Sequence, residues 1–157
     1  HRNPQGLLIS VDGTVWLHEH GPRGGDELNE IRPGNNYGWP AITHGMDYSG
    51  AYVSPYTEAP GMEQPVTYWV PSISPGGFCE YLGNAFPQWH GNLFVAALAE
   101  KSVRRLEMKN RRVLSQETLF SELEQRIREV SSGPDGYLYL LTDSEEGEVL
   151  RVLPKEE

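Results

Sequence analysis

The strongest pattern in the chain is a short apolar run behind a glycine, and it occurs three times. Gly13-Thr-Val-Trp-Leu17, Gly91-Asn-Leu-Phe-Val95 and Gly136-Tyr-Leu-Tyr-Leu140 each align a Gly, one polar or Tyr residue and three apolar positions. Asp12 and Asp135 precede two of these glycines, and Asp-Gly ahead of an apolar run signals a turn entering a strand. After a loop of variable length each run is followed by a second apolar segment: Glu27-Leu-Asn-Glu-Ile31, Val103-Arg-Arg-Leu106 and Val149-Leu-Arg-Val-Leu153. Three strand–turn–strand units are therefore predicted. The second and third copies begin 45 residues apart, about one four-stranded propeller blade. The first and second lie 78 apart, so a long insertion, about 32–75, separates them.

That insertion is rich in Gly, Pro, Tyr and Trp. Tyr37, Trp39, Tyr48, Tyr52, Tyr56, Tyr68 and Trp69 are costly to leave in water, and disordered segments are poor in aromatics. It reads as an ordered, functional loop region, against the plainer alternative of a connection between blades. One stretch resists an all-β reading. Leu119, Leu123, Ile127 and Val130 follow helical spacing, with Ser115 as a cap ahead of them. The third unit nevertheless needs a strand leading into Gly133-Pro-Asp-Gly136. The two are reconciled by a short helix or turn near Leu119–Glu124, followed by a strand. On a helix Arg126 and Arg128 point about 200° apart; on a strand they share a face and Ile127 takes the other.

Composition narrows the classes of function. The 157 residues carry 13 Lys+Arg against 22 Asp+Glu, a net charge of −9, which argues against nucleic acid or an anionic membrane as partner. No apolar run approaches the roughly 18 residues of a membrane span, and no signal peptide opens the chain. One cysteine, Cys79, excludes a disulfide scaffold or thiolate cluster. The 17 Gly and 12 Pro make a turn-rich chain of one acidic, globular domain, 1–157.

Two histidines at i and i+2, His18 and His20, face the same way on a strand and begin a zinc site only if a third ligand joins them. His44 and His90 come with no recognisable spacing, which leaves a hydrogen-bonded pair as the simpler reading. The glycine-rich run that follows lacks the Lys-Ser/Thr ending of a phosphate loop. Asp26, Glu27 and Asp47, with irregular backbone between them, offer the carboxylates and unused carbonyls that Ca²⁺ takes at six to eight positions, against the alternative of a solvated acidic loop. Arg126 and Arg128, on a strand, form a paired cationic face suited to carboxylates, against the alternative of surface charge. No serine sits in a nucleophile elbow, and Cys79 has no His neighbour in sequence.

His1-Arg-Asn-Pro-Gln-Gly-Leu7, Glu19-His-Gly-Pro-Arg-Gly-Gly-Asp-Glu-Leu-Asn29, Asn36-Tyr-Gly-Trp-Pro40, Trp69-Val-Pro-Ser-Ile-Ser-Pro75, Gly91-Asn-Leu-Phe-Val95, Arg126-Ile-Arg-Glu-Val130 and Gly133-Pro-Asp-Gly136 run in order along essentially the whole chain. Together they resemble the soluble PQQ-dependent aldose sugar (glucose/sorbosone) dehydrogenase family. The resemblance implies an all-β, six-bladed β-propeller of which this chain covers roughly three blades, the C-terminal part, beginning at His1 without a methionine. It implies PQQ- and Ca²⁺-dependent oxidation of aldose sugars at C1 to lactones, an electron acceptor as second partner and a periplasmic location. The general-base histidine is expected in the missing N-terminal half, so this chain alone is expected to be inactive, and to self-associate or pair with that half.

Residue by residue, Arg2 and Asn3 match positions that hydrogen-bond the PQQ quinone oxygens. The carbonyls of Gly21 and Pro22 match those ligating the Ca²⁺ that bridges protein and PQQ. Glu27, Asp47 and the carbonyls of Tyr37 and Thr43 match a second, structural calcium site. Arg126 and Arg128 match the pair that meets PQQ carboxylates, which favours the strand over the helix. Two departures stand out. Ala97-Leu98-Ala99 has Ala where the family typically has Lys, with Lys101 two residues on, and Pro75-Gly76-Gly77 replaces a frequent Pro-Ser-Gly. Losing a charged contact to a buried anion costs about 2–5 kcal/mol. A calcium-stabilised propeller that has lost PQQ is the alternative reading.

Overall fold

The structure, a computed structural model, describes residues 1–155. Among them are eleven strands, two 3₁₀ turns and no α-helix. Strands β1 (Pro4–Ile9), β2 (Val15–Glu19), β3 (Asp26–Glu30) and β4 (Thr67–Trp69) form one sheet in chain order. Strands β5 (Pro75–Glu80), β6 (Leu93–Ala97), β7 (Ser102–Lys109) and β8 (Arg112–Leu119) form a second, and β9 (Ile127–Ser132), β10 (Leu138–Thr142) and β11 (Val149–Val152) a third. The chain divides into two compact units, one from His1 to Pro75 and one beginning at Gly76.

The three predicted units are the antiparallel pairs β2–β3, β6–β7 and β10–β11. Their glycines hold positive φ, 82° at Gly13, 77° at Gly91 and 84° at Gly136, a region Gly enters without a Cβ penalty. The two Asp-Gly copies build the same turn. Gly13 N donates to Ser10 O and Gly136 N to Gly133 O, while Asp12 and Asp135 accept from the backbone N–H two residues on. The repeat therefore marks the entry to the second strand of each sheet.

In the first unit Trp16, Leu28, Trp69 and Ile73 are buried. Trp16 pairs with Glu30, and Leu28 with His18, across β2–β3, which puts Trp16, His18 and Leu28 on one face. In the second unit Tyr81, Phe86, Phe94, Ala96, Val103, Ile127, Val130, Leu138 and Leu140 form one core. Tyr81 donates to Gly136 O at 2.6 Å and accepts from Phe86 N at 3.0 Å, so its hydroxyl ties the loop after β5 to the β9–β10 turn.

Two expectations need correction. The insertion is ordered, but not by burying its aromatics. Tyr37 and Trp69 are buried, whereas Tyr48 and Tyr52 are 70% and 78% exposed. Backbone bonds hold this segment instead, among them Thr43 N to Tyr56 O and Ile42 N to Gly38 O. Nor does Ser115 cap a helix: it lies in β8, and its hydroxyl donates to Glu107. The chain turns through a 3₁₀ segment, Ser121–Leu123, and β9 follows. The helical spacing of Ile127 and Val130 comes from a β-bulge. Leu141 pairs with Glu129 but Thr142 with Ile127, so Arg128 is the extra residue, and both apolar side chains stay buried three positions apart.

Candidate functional site

Asp26 organises the turn that follows β2. It is fully buried, accepts from Gly21 N at 3.0 Å with one oxygen, and from Ser72 Oγ at 2.5 Å and Ser74 N at 2.9 Å with the other. A Cβ on Gly21 would lie 2.2 Å from Gly24 O, so only glycine lets the loop close this tightly. With one oxygen bonded to this turn and the other to the segment between β4 and β5, Asp26 staples the two together. Among the described residues no hydrogen bond takes up the carbonyl of Gly21 or Pro22.

Beside this turn two carboxylates meet. Glu19 and Glu27 are direct cross-strand partners, and the Asn29 amide donates to both, at 3.2 Å each. Glu19 also accepts from Arg2 N at 2.6 Å and lies 2.6 Å from His1 Nδ1. The Asn29 Oδ1 is buried with no partner among the described residues. Burial, and then the neighbouring Glu19 charge, push the Glu27 carboxyl up to about 7, because the ionised form has lost water and the Asn29 amide and the N-terminal ammonium only partly offset that loss. Arg2, Glu19, Gly21, Glu27, Tyr37 and Thr43 line a cavity of about 10 Å³, room for one water-sized centre. The Tyr37 hydroxyl is fixed by Arg32 N and Glu30 O, both at 2.8 Å. The carbonyls of Tyr37 and Thr43 accept no hydrogen bond among the described residues.

This donor set suits a hard, oxygen-seeking cation. Among the described residues no group of three or more His, Cys, Asp and Glu side chains converges for a metal, so such an ion would have to draw on carbonyls. Asp47 is exposed, and its carboxylate is taken by Ser49, which holds it below the usual carboxylate range. Glu19 escaped the sequence reading because only the β2–β3 register brings it beside Glu27, whereas Asn29, two residues on, shares a strand face with Glu27. The histidines go elsewhere: His18 is buried in the sheet, His20 Nε2 lies 2.8 Å from Pro75 O, and His44 stacks on Tyr68 at 3.8 Å.

Arg2 extends over the Trp39 ring, 5.5 Å from its centroid, and donates to His20 O at 3.2 Å. The neighbouring Asn3 is exposed and accepts from Gln5 at 3.0 Å. In the second unit Arg126 and Arg128 are exposed on the same side of the β9 entry, and both reach one carboxylate. Arg126 Nε lies 2.8 Å from Asp143 Oδ2, while Arg128 Nε and Nη2 lie 3.3 and 3.1 Å from Oδ1. The two guanidinium groups hold Asp143 below the usual carboxylate range. Ala99 is exposed in the β6–β7 turn, and Lys101 there has a φ of 56°. Burial pushes the Cys79 thiol up to about 12, too high for a working thiolate.

Residues 1–151 match the family model described as Glucose / Sorbosone dehydrogenase. The aldose sugar dehydrogenase YliI of Escherichia coli (strain K12) is 44% identical over 98% of this chain and 42% of its own length. A crystal structure of glucose dehydrogenase superposes with a TM-score of 0.95 at 49% identity, over 99% of this chain and 46% of that one. The PQQ-bound form of an aldose sugar dehydrogenase from Streptomyces coelicolor gives 0.72 at 26% identity, over 98% and 42%. The chain thus spans less than half the length of these relatives, and its all-β fold amounts to about three blades of a six-bladed propeller.

Proposed function

The chain belongs to the glucose/sorbosone dehydrogenase family, and from that membership we propose that the protein is a PQQ- and Ca²⁺-dependent oxidoreductase that converts aldose sugars at C1 to lactones. One observation carries the reading onto this chain's residues: Arg126 and Arg128 stand side by side at the entry of β9 with guanidinium donors to spare. That arrangement suits a ligand with several carboxylates. When bound, PQQ supplies a two-electron acceptor, with Ca²⁺ polarising its quinone carbonyl.

The chain's own residues bind and orient. Arg2 and Asn3 hydrogen-bond quinone oxygens, and Arg126 and Arg128 take carboxylates. The unclaimed carbonyls of Gly21 and Pro22 are ligands for one calcium. Glu27 with the Tyr37 and Thr43 carbonyls takes a second, structural calcium, with Asp47 as the family pattern's further ligand and Glu19 beside it. The proton-accepting base lies outside this chain, which alone is inactive; the working protein is periplasmic and passes its electrons to a separate acceptor. No helix among the described residues is long and apolar enough to cross a membrane.

The test is aldose-dependent dye reduction by the full-length protein, with PQQ and Ca²⁺ added singly and together. Turnover that needs both, and is lost in Arg126→Ala/Arg128→Ala, is the expected outcome. Ala99, where the family typically has Lys, favours a second reading: a calcium-stabilised propeller without PQQ. Calcium uptake with no PQQ uptake in the same assay would select it.

A further inference from the structure

Two arginines two residues apart on one strand face repel each other, and each long side chain has many rotamers. Here both are drawn to a single carboxylate, and the backbone fixes where that carboxylate sits. Asp143 N donates to Arg126 O at 2.8 Å, and Thr142 just before it closes the β10–β11 loop, bonding Glu148 through both its backbone N–H and its hydroxyl. The bulge at Arg128 sets the register that makes this possible.

Asp143 takes the guanidinium groups by their sides. It uses Nε of Arg126, and Nε and Nη2 of Arg128. Both terminal nitrogens of Arg126 and Nη1 of Arg128 make no hydrogen bond among the described residues. One acid between two bases also leaves a net positive charge. We propose that Asp143 is the positioning residue of this pair: it aligns Arg126 and Arg128 so that their Nη ends present one preformed cradle to a polycarboxylate ligand. This rests on the reading of the two arginines as the PQQ-carboxylate site.

Charge alone and positioning predict opposite signs. Removing Asp143 makes the site more positive, which by Coulomb attraction would tighten an anion; if Asp143 positions the arginines, its loss loosens the ligand, because both side chains must then be ordered at binding. The experiment titrates PQQ into the full-length protein with Ca²⁺ present, following Trp fluorescence and dissociation rate. It compares Asp143→Ala, Asp143→Asn, Asp143→Glu, Arg126→Ala and Arg128→Ala. Expected for Asp143→Ala is a loss of about tenfold in affinity, carried by faster dissociation, with the melting temperature of the cofactor-free protein unchanged. Asp143→Asn should fall between, and Asp143→Glu should recover most of the loss. Unchanged or tighter binding in Asp143→Ala and Asp143→Asn, with both arginine variants weakened, overturns the positioning role alone. Unchanged binding in both arginine variants overturns the assignment of the pair, and this role with it.

Discussion

At the residue scale, Asp26 and Glu27 of the first unit do opposite work, and two measurements separate them. Asp26 is fully buried, and its carboxyl oxygens accept three hydrogen bonds. Asp26→Ala would strand the Gly21 and Ser74 amides and release the turn, costing about 3 kcal/mol. Chemical denaturation should read that loss, and Ca²⁺ should no longer raise stability. Glu27 is the reverse case, a carboxyl pushed up to about 7 by burial and then by Glu19. A raised carboxyl favours the fold while protonated, so this contribution is complete below its ordinary pKa near 4.5 and is lost as pH rises through about 7. In chelator the melting temperature of the full-length protein should therefore fall between pH 5 and pH 8. Added Ca²⁺ should restore more at pH 8 than at pH 5, and Glu27→Gln should flatten both responses. A melting temperature that climbs with pH in chelator would contradict this account.

At the element scale, the repeat was legible because its chemistry is local. A glycine turn, Asp-Gly in two of the three copies, and a three-residue apolar run specify β2, β6 and β10 without reference to the rest of the chain. The same logic ranks two glycines. Gly91 and Gly136 hold nearly the same φ, but a Cβ on Gly91 meets nothing within 4 Å whereas one on Gly136 meets Asn84 N at 3.4 Å. Gly91→Ala should cost about 1 kcal/mol for its backbone conformation, and Gly136→Ala more, as read by equilibrium unfolding. What the sequence concealed depends on register. The turn at Gly133–Gly136 sets a regular hairpin that places Asp143 opposite Ile127, facing away from both arginines; the bulge at Arg128 moves it opposite Arg126. The same bulge gave Ile127 and Val130 their helical spacing. Glu19 was hidden alike, since nothing but the β2–β3 pairing brings it to Glu27. The insertion's tyrosines were misread for another reason: backbone bonds and a few buried rings suffice to order a loop, so its remaining aromatics are left exposed.

At the scale of the whole molecule, the sheets keep apolar side chains that are exposed among the described residues. Leu7 and Ile9 of β1 are 66% and 67% exposed, and they pair with Leu17 and Val15 on the same face of the first sheet. Leu141 and Val149 pair across β10–β11, and Val149 is 69% exposed. Side chains of this kind, contiguous and alternating along strands, are what a sheet presents to a neighbouring sheet. The relatives extend over more than twice the length matched here, and blades in a propeller bury such faces against one another. Produced by itself, this chain should therefore self-associate or unfold without a cooperative transition. Co-produced with the remainder of the full-length protein, it should be recovered in a single complex. Leu7→Lys with Ile9→Lys should suppress the self-association of the chain alone and weaken that complex, because one face serves both. Light scattering coupled to size exclusion measures each arm. A monodisperse, cooperatively melting monomer of the unmodified chain would show that these faces need no partner.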